Sequence, residues 1–255
     1  LVIVEDNDAL RKYIVSQLNS SYKFLEEKNG VEALELIMKY LPDLVICDIM
    51  MPEMDGIELC MKIKEDVSTS HIPIIFLTAR GLQENQIEGL ETGADAYISK
   101  PFSINLLNAQ IENLIESRIK LREKYINNLN LQPKEFTTTS ADEKFFQKLI
   151  RIVNNNLSET SFSVAELSSE VNMDESTLYR KIKALTNLNP SAFIKSVRLN
   201  IASEMLKNNV SNVSDIAYSV GFSSPNYFIT NFKKQFGKTP GEYAQLYQQK
   251  PIAKI

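Results

Sequence analysis

No apolar run in this sequence approaches the roughly 20 residues that a membrane-spanning helix needs, so the segment is expected to make no direct membrane contact. Cysteine is scarce: Cys47 falls in an apolar run expected to form a buried strand, and Cys60 falls on an expected helix. Two such thiols exclude a disulfide framework and point to a reducing cytoplasm. His71 is the only histidine, and it precedes Pro73 in an expected loop, where it is read as incidental. No secretory leader is expected. An initiating methionine is lacking: the chain opens at Leu1 inside an apolar strand, and a longer parent with further sequence upstream is expected.

What is present is unevenly distributed. The net charge of −4 hides 11 basic and 20 acidic residues over positions 1–120, against 17 basic and 12 acidic over 121–255. From Ser176 onward there are 11 basic residues and 3 acidic ones. An acidic front suits a cation, and a basic rear suits nucleic acid. With 255 residues and 44% apolar content, the chain is long enough for two domains, each with its own core.

The stretch from Asp43 to Gly56 organises the front half. Leu44 to Cys47 is short and continuously apolar, as a strand covered on both faces of a parallel sheet would be. Asp48 follows it, and Pro52 and Gly56 end regular structure, so Asp48 is expected at the rim where open α/β sheets bind ligands. A lone aspartate there would most simply cap the next loop or helix. Companions change that reading. Glu5 and Asp6 follow the apolar Leu1 to Val4, Thr78 follows Pro73 to Leu77, and Lys100-Pro101 follows Ala94 to Ser99. Three carboxylates, a hydroxyl and an amine are thus brought to the ends of neighbouring strands. Helices are expected over Asp8 to Leu18, Gly30 to Tyr40, Ile57 to Glu65 and Leu82 to Glu91, with a further strand at Tyr22 to Leu25. That alternation predicts a doubly wound, parallel, five-stranded sheet.

These residues resemble the receiver domain of two-component response regulators, a flavodoxin-like fold, and the resemblance covers roughly residues 1–125. It implies that Asp48 accepts a phosphoryl group from a phosphohistidine. It also implies that Asp6, Asp48 and the Met50 backbone carbonyl hold Mg²⁺, with Glu5 supporting the ion through water. Thr78 and Lys100 would bind the transferred phosphoryl oxygens, and Thr78 and Tyr97 would form the switch pair. The chemistry agrees, because clustered carboxylates resist full ionisation without a cation, and Mg²⁺ favours a few carboxylates together with water and phosphate oxygens. By the family pattern, Met50 and Arg80 approach the water that hydrolyses the acyl phosphate. With only His71 available, the segment cannot supply its own phosphohistidine donor.

From Ser103 to about Tyr125 a long helix is expected, with Leu106, Leu107, Ile111, Leu114, Ile115 and Ile119 on a face wider than the sheet needs. Residues 126–141 are polar and breaker-rich and read as a linker. From residue 142 to 255 the chain reads as all-helical. Ser163 to Val171, a turn at Asn172-Met173 and Asp174 to Leu185 have the spacing of a helix-turn-helix, and Val213 to Val220, a turn at Gly221-Phe222-Ser223 and Ser224 to Phe236 repeat it. A long helix, Ser191 to Lys207, joins them. The doubled pattern, with Ile216-Ala217-Tyr218-Ser219-Val220-Gly221-Phe222 and Gly237-Lys238-Thr239-Pro240-Gly241-Glu242-Tyr243, resembles the DNA-binding domain of AraC-type regulators. Helical spacing puts Ser176, Tyr179, Arg180 and Lys183 on the outer face of the first recognition helix and Asn226, Tyr227, Thr230 and Lys233 on that of the second. Lys181, Lys234 and Lys238 are expected at phosphate or solvent.

The expected function is a cytoplasmic two-component response regulator and transcription factor whose phosphorylation at Asp48 controls binding to a double-stranded DNA operator. Its expected partners are a histidine kinase, RNA polymerase and, once phosphorylated, a second copy of the chain. The architecture further resembles the carboxyl end of hybrid two-component sensors of gut Bacteroidetes, with kinase, receiver and AraC-type domain on one membrane-anchored polypeptide that controls glycan-use genes. A free-standing regulator with a separate kinase is the alternative. An enzyme, the Mg²⁺-dependent aspartyl-phosphate phosphatase, would need an acid or base beside the nucleophile. Ile49 and Met50 offer neither, so no turnover is expected from this segment.

Overall fold

The computed structural model describes residues 1–18, 20–79, 93–127 and 139–248. The expected helix at Leu82 to Glu91, Arg80 and most of the expected linker lie outside the described residues. Two compact units are present, one built on Leu1–Lys124 together with the described residues 139–143, the other on the described residues 144–248. Among the described residues, no helix is long and apolar enough to cross a membrane.

The first unit runs β1 (Val2–Val4), α1 (Asp8–Leu18), β2 (Leu25–Glu27), α2 (Gly30–Tyr40), β3 (Val45–Asp48), α3 (Gly56–Glu65), β4 (Ile74–Ala79), β5 (Ala96–Lys100) and α4 (Ile104–Asn127). The strands form one sheet in the order β2-β1-β3-β4-β5, all neighbours parallel, with Val4 opposite Cys47 and Asp48 opposite Leu77. Successive side chains of a strand leave opposite faces, and the core divides accordingly. Val2, Val4, Val45, Cys47 and Phe76 pack with Ala33 and Ile37 of α2 and Leu59 and Ile63 of α3. Ile3, Ile46, Ile75 and Leu77 pack on the other side with Ile14 of α1 and Leu107 and Ile111 of α4. Each of these Val, Ile and Leu side chains, fully buried, contributes roughly 1.5–3 kcal/mol. Both faces are therefore covered, which is why the central strands read as unbroken apolar runs.

The second strand departs from expectation. It starts at Leu25, where Tyr22 to Leu25 was the expected segment. Its residues pair with Val2–Val4 at an edge of the sheet and are largely exposed. Tyr22 and Phe24, within the expected segment, instead pack onto the core from the loop before it.

The second unit contains α5 (Ser140–Asn155) from Lys144 on, α6 (Val164–Val171), α7 (Glu175–Thr186), α8 (Pro190–Lys207), α9 (Val213–Ser219), α10 (Pro225–Phe236) and α11 (Pro240–Gln248). Side chains cap the starts: Ser163 forms a reciprocal box with Glu166, and Asp174, Asn189, Asn212 and Ser224 each accept from a backbone N–H one turn on. Asn172 and Asn187 adopt the left-handed conformation that stops α6 and α7. Pairs α6–α7 and α9–α10 are the two helix-turn-helix units, and α8 joins them. In the second turn, Gly221 has φ +77°, and a Cβ there would lie 2.4 Å from the Leu157 carbonyl oxygen, so only glycine fits. Helix α11 was not foreseen. Its Tyr243 stacks against Phe232 and Phe236 of α10, and Pro240 at its first position was the available signal.

Candidate metal centre and nucleic-acid interface

The ends of β1 and β3 are neighbours where the strand order reverses, the place at which open α/β sheets hold ligands. Carboxylate oxygens of Glu5, Asp6 and Asp48 lie there within 4.8 Å of one another. Glu5 and Asp48 are buried, and Asp6 is exposed. Close backbone approach shapes the rim, because a Cβ on Gly56 would come within 2.2 Å of the Asp48 carbonyl oxygen.

Lys100, at the end of β5, donates to Asp48 Oδ2 at 2.7 Å and to Glu5 Oε2 at 2.8 Å. Burial opposes its charge, but these two bonds outweigh burial and the ammonium pKa is raised. Burial also raises the Glu5 pKa, with the Asp48 charge adding to it against the pull of Lys100. The Lys100-Pro101 bond is cis.

Thr78 lies one residue beyond the β4 partner of Asp48, buried, with its hydroxyl donating to the Ala79 carbonyl at 3.0 Å. Tyr97 is part-buried, its ring 5.6 Å from that of Phe76. Met50 donates its N–H to Asp48 Oδ1 at 3.4 Å and leaves its side chain exposed.

Sequence reasoning missed Arg11. It is buried on α1 and donates to the Glu5 carbonyl at 2.7 Å and to the Asp8 and Glu26 carboxylates, tying the helix to the strand end that carries the acids. The signal was a basic residue in register with Ile14 and Leu18 on the inward stripe of α1.

In the helical unit, Ser176, Tyr179 and Lys183 of α7 are exposed and Arg180 is half-buried, while Leu178, Ile182 and Leu185 pack inward. On α10, Asn226, Tyr227, Thr230 and Lys233 are exposed, and Phe228 and Phe232 are buried. Lys195 of α8 donates to the Tyr227 hydroxyl at 2.9 Å, and this bond lowers the phenol pKa. Lys181 corrects the expectation of a phosphate- or solvent-facing charge. It is fully buried, its ammonium 5.8 Å from the centre of the Phe145 ring, because its long aliphatic stem suits an apolar flank.

Residues 1–112 match the response regulator receiver domain family, and residues 167–246 match a helix-turn-helix domain family. Histidine kinase P4 of Formosa agariphila is 44% identical over 249 residues, which is 98% of this chain but 18% of that protein. The probable transcriptional regulator ycf29 of Pyropia yezoensis is 34% identical over 202 residues, 74% of this chain and 90% of the relative. A crystal structure of the receiver domain of a signal transduction histidine kinase from Syntrophus aciditrophicus is 34% identical, covering 45% of this chain and 88% of that one with a TM-score of 0.43. With an acidic strand-end cluster in one unit and paired helix-turn-helix elements in the other, the chain belongs to the response regulators, as a receiver domain followed by an AraC-type helix-turn-helix DNA-binding domain.

Proposed function

We propose that Asp48 accepts a phosphoryl group from the phosphohistidine of a histidine kinase, and that its state sets how the helical unit engages a double-stranded operator. The observation that carries this reading is the convergence of Glu5, Asp6, Asp48 and Lys100 at one sheet edge, in a chain that also bears two exposed recognition faces.

The donor set is three carboxylates, all oxygen, which suits Mg²⁺. Asp6, Asp48 and the Met50 carbonyl would hold the ion, with Glu5 acting through water. When bound, it supplies positive charge to the phosphoryl oxygens. The chain's own residues do the rest. A carboxylate oxygen of Asp48 attacks phosphorus, the P–N bond of the donor breaks, and the leaving imidazole takes up a proton. Lys100 turns from the bare carboxylates to the new phosphoryl oxygens, and the Thr78 hydroxyl exchanges the Ala79 carbonyl for a phosphoryl oxygen. Tyr97 then moves inward behind Thr78. Asp48 is an acceptor in this scheme, and the segment turns over no foreign substrate.

On the helical unit, Ser176, Tyr179, Arg180 and Lys183 from α7 and Asn226, Tyr227, Thr230 and Lys233 from α10 meet base edges and phosphates. A DNA partner puts this segment in the cytoplasm, with RNA polymerase as a further partner. A kinase on the same polypeptide, anchored in the inner membrane and governing glycan-use genes, is supported by the Formosa relative, which is named a histidine kinase. Exposed Leu106 and Ile119 on α4 support pairing of two phosphorylated receivers. An unchanged sedimentation mass on adding beryllofluoride would count against that pairing.

The central test is intact mass after treatment with acetyl phosphate and Mg²⁺. Gain of one phosphoryl group by the wild type and none by Asp48→Asn is expected. Equal gain by both sinks the assignment.

A further inference from the structure

The helical unit holds a cleft of about 250 Å³ whose lining includes no residue of α7. It is lined by Lys195 and Arg198 of α8, by Ser191 in the first turn of that helix, by Thr160 ahead of α6, and by Ser223 and Tyr227 at the start of α10, with no carboxylate in the lining. Arg198 is only 7% exposed. Its terminal nitrogens donate to the backbone carbonyls of Gly221 (3.0 Å), Asn156 (3.3 Å) and Glu159, and its Nε has no hydrogen-bond partner.

Among the described residues neither cation meets a carboxylate: Lys195 donates to the Tyr227 hydroxyl and lies 5.2 Å from its ring centre. A buried guanidinium without a counter-charge is unfavourable, and an anion close by would relieve it. Helices α8 and α10 each contribute a first turn to the cleft. Both carry proline at the start and no acidic residue in that turn, so the positive ends of their dipoles meet only the neutral caps Asn189 and Ser224.

We propose that this cleft binds a backbone phosphate of duplex DNA. The proposal rests on the reading that the helical unit binds DNA, and it adds a contact outside the two expected recognition sets. A phosphodiester has one negative charge and unesterified oxygens that only accept. Lys195 and the hydroxyls of Ser191, Thr160 and Ser223 donate to it, while Arg198, held by three carbonyls, supplies charge from behind. Because Arg198 also grips the turn between α9 and α10 through Gly221, a phosphate seated here sets the register of the second recognition helix on the duplex.

The test is the salt dependence of binding by the 255-residue chain to two labelled duplexes, one selected for tight binding and one random. Lys195→Gln and Ser191→Glu should weaken both duplexes by the same factor, and Lys195→Gln should make the log–log salt slope shallower by about one. Unchanged slopes in both variants, with wild-type binding intact, overturn the proposal. Absence of any wild-type binding overturns the DNA reading itself. Tyr227→Phe should lower affinity for the selected duplex at an unaltered slope. If it reproduces the slope change, Lys195 acts by orienting Tyr227 and the proposal fails. Inorganic phosphate should compete no better than chloride at equal ionic strength. Stronger competition that Lys195→Gln abolishes would assign the cleft to free phosphate instead. Matching thermal melts of the variants exclude a folding defect as the cause.

Discussion

Lys100 reaches from the end of β5 to Asp48 at the end of β3, its ammonium 2.7 Å from Oδ2, and the same ammonium holds Glu5 at 2.8 Å. The amine stands in for positive charge that the acid cluster otherwise lacks. Removing it in Lys100→Ala leaves two buried carboxylates facing each other, which should cost about 3 kcal/mol of stability. A divalent cation can answer the same charge. Millimolar Mg²⁺ should therefore raise the melting temperature of the variant by more than that of the wild type, compared with EDTA. Equal shifts in the two proteins would contradict this account.

The lifetime of the acyl phosphate depends on what can align a water opposite the leaving carboxylate oxygen. Met50 is 66% exposed and offers only a weakly accepting thioether. Arg80, the second family position, lies outside the described residues, and a guanidinium has donors but no acceptor. Slow intrinsic decay is expected, and Met50→Asn with Arg80→Glu should hasten it about 10-fold, equivalent to about 1.4 kcal/mol in barrier. Decay after removal of the donor is the measurement. A wild type that already decays as fast as the double variant would refute the water-alignment argument.

Arg180 and Lys234 separate reading from holding. If Arg180 meets a guanine edge, Arg180→Ala should cost about 1–3 kcal/mol and relax one base position. Lys234 is exposed on α10. Lys234→Ala should weaken binding to every sequence and flatten the salt dependence by about one unit of slope. Equal loss on selected and random DNA for Arg180→Ala would remove its base-reading role.

Three acidic caps in the helical unit predict an acid sensitivity. Backbone and hydroxyl donors of Ser163 hold Glu166 below its ordinary pKa, the side chain and backbone of Thr177 do so for Asp174, and the backbone and side chain of Thr239 do so for Glu242. Each group stays ionised to lower pH in the folded chain than in the unfolded chain. Their stabilisation is therefore present above the unfolded values, near 4.5 for Glu and 3.8 for Asp, and is lost as pH falls through the depressed folded values. Glu166→Gln should make the fall in melting temperature with acid shallower. An identical acid profile would show that the cap is not electrostatic.

Much of this was legible locally. Continuous apolar runs identify β1, β3 and β4 because a central parallel strand is buried on both faces, and Asp174 and Ser224 mark helix starts because such side chains take up the orphan N–H groups. The edge strand β2 was misplaced because its pairing is set by β1, while Tyr22 and Phe24 pack onto the core from the preceding loop.

The sequence by itself determined the order of elements and which strand ends carry acid, hydroxyl and amine, since periodicity and turn chemistry act over a few residues. Only the tertiary structure decided that Lys100 spans 95 positions to Glu5. Only the tertiary structure decided that Arg11 and Lys181 are buried, and that Arg198 grips the turn before α10. A charged side chain on a helix reads the same in sequence whether it meets water, a carbonyl or a ring. The partner that settles its energy arrives from a distant part of the chain, when the core closes and water is removed.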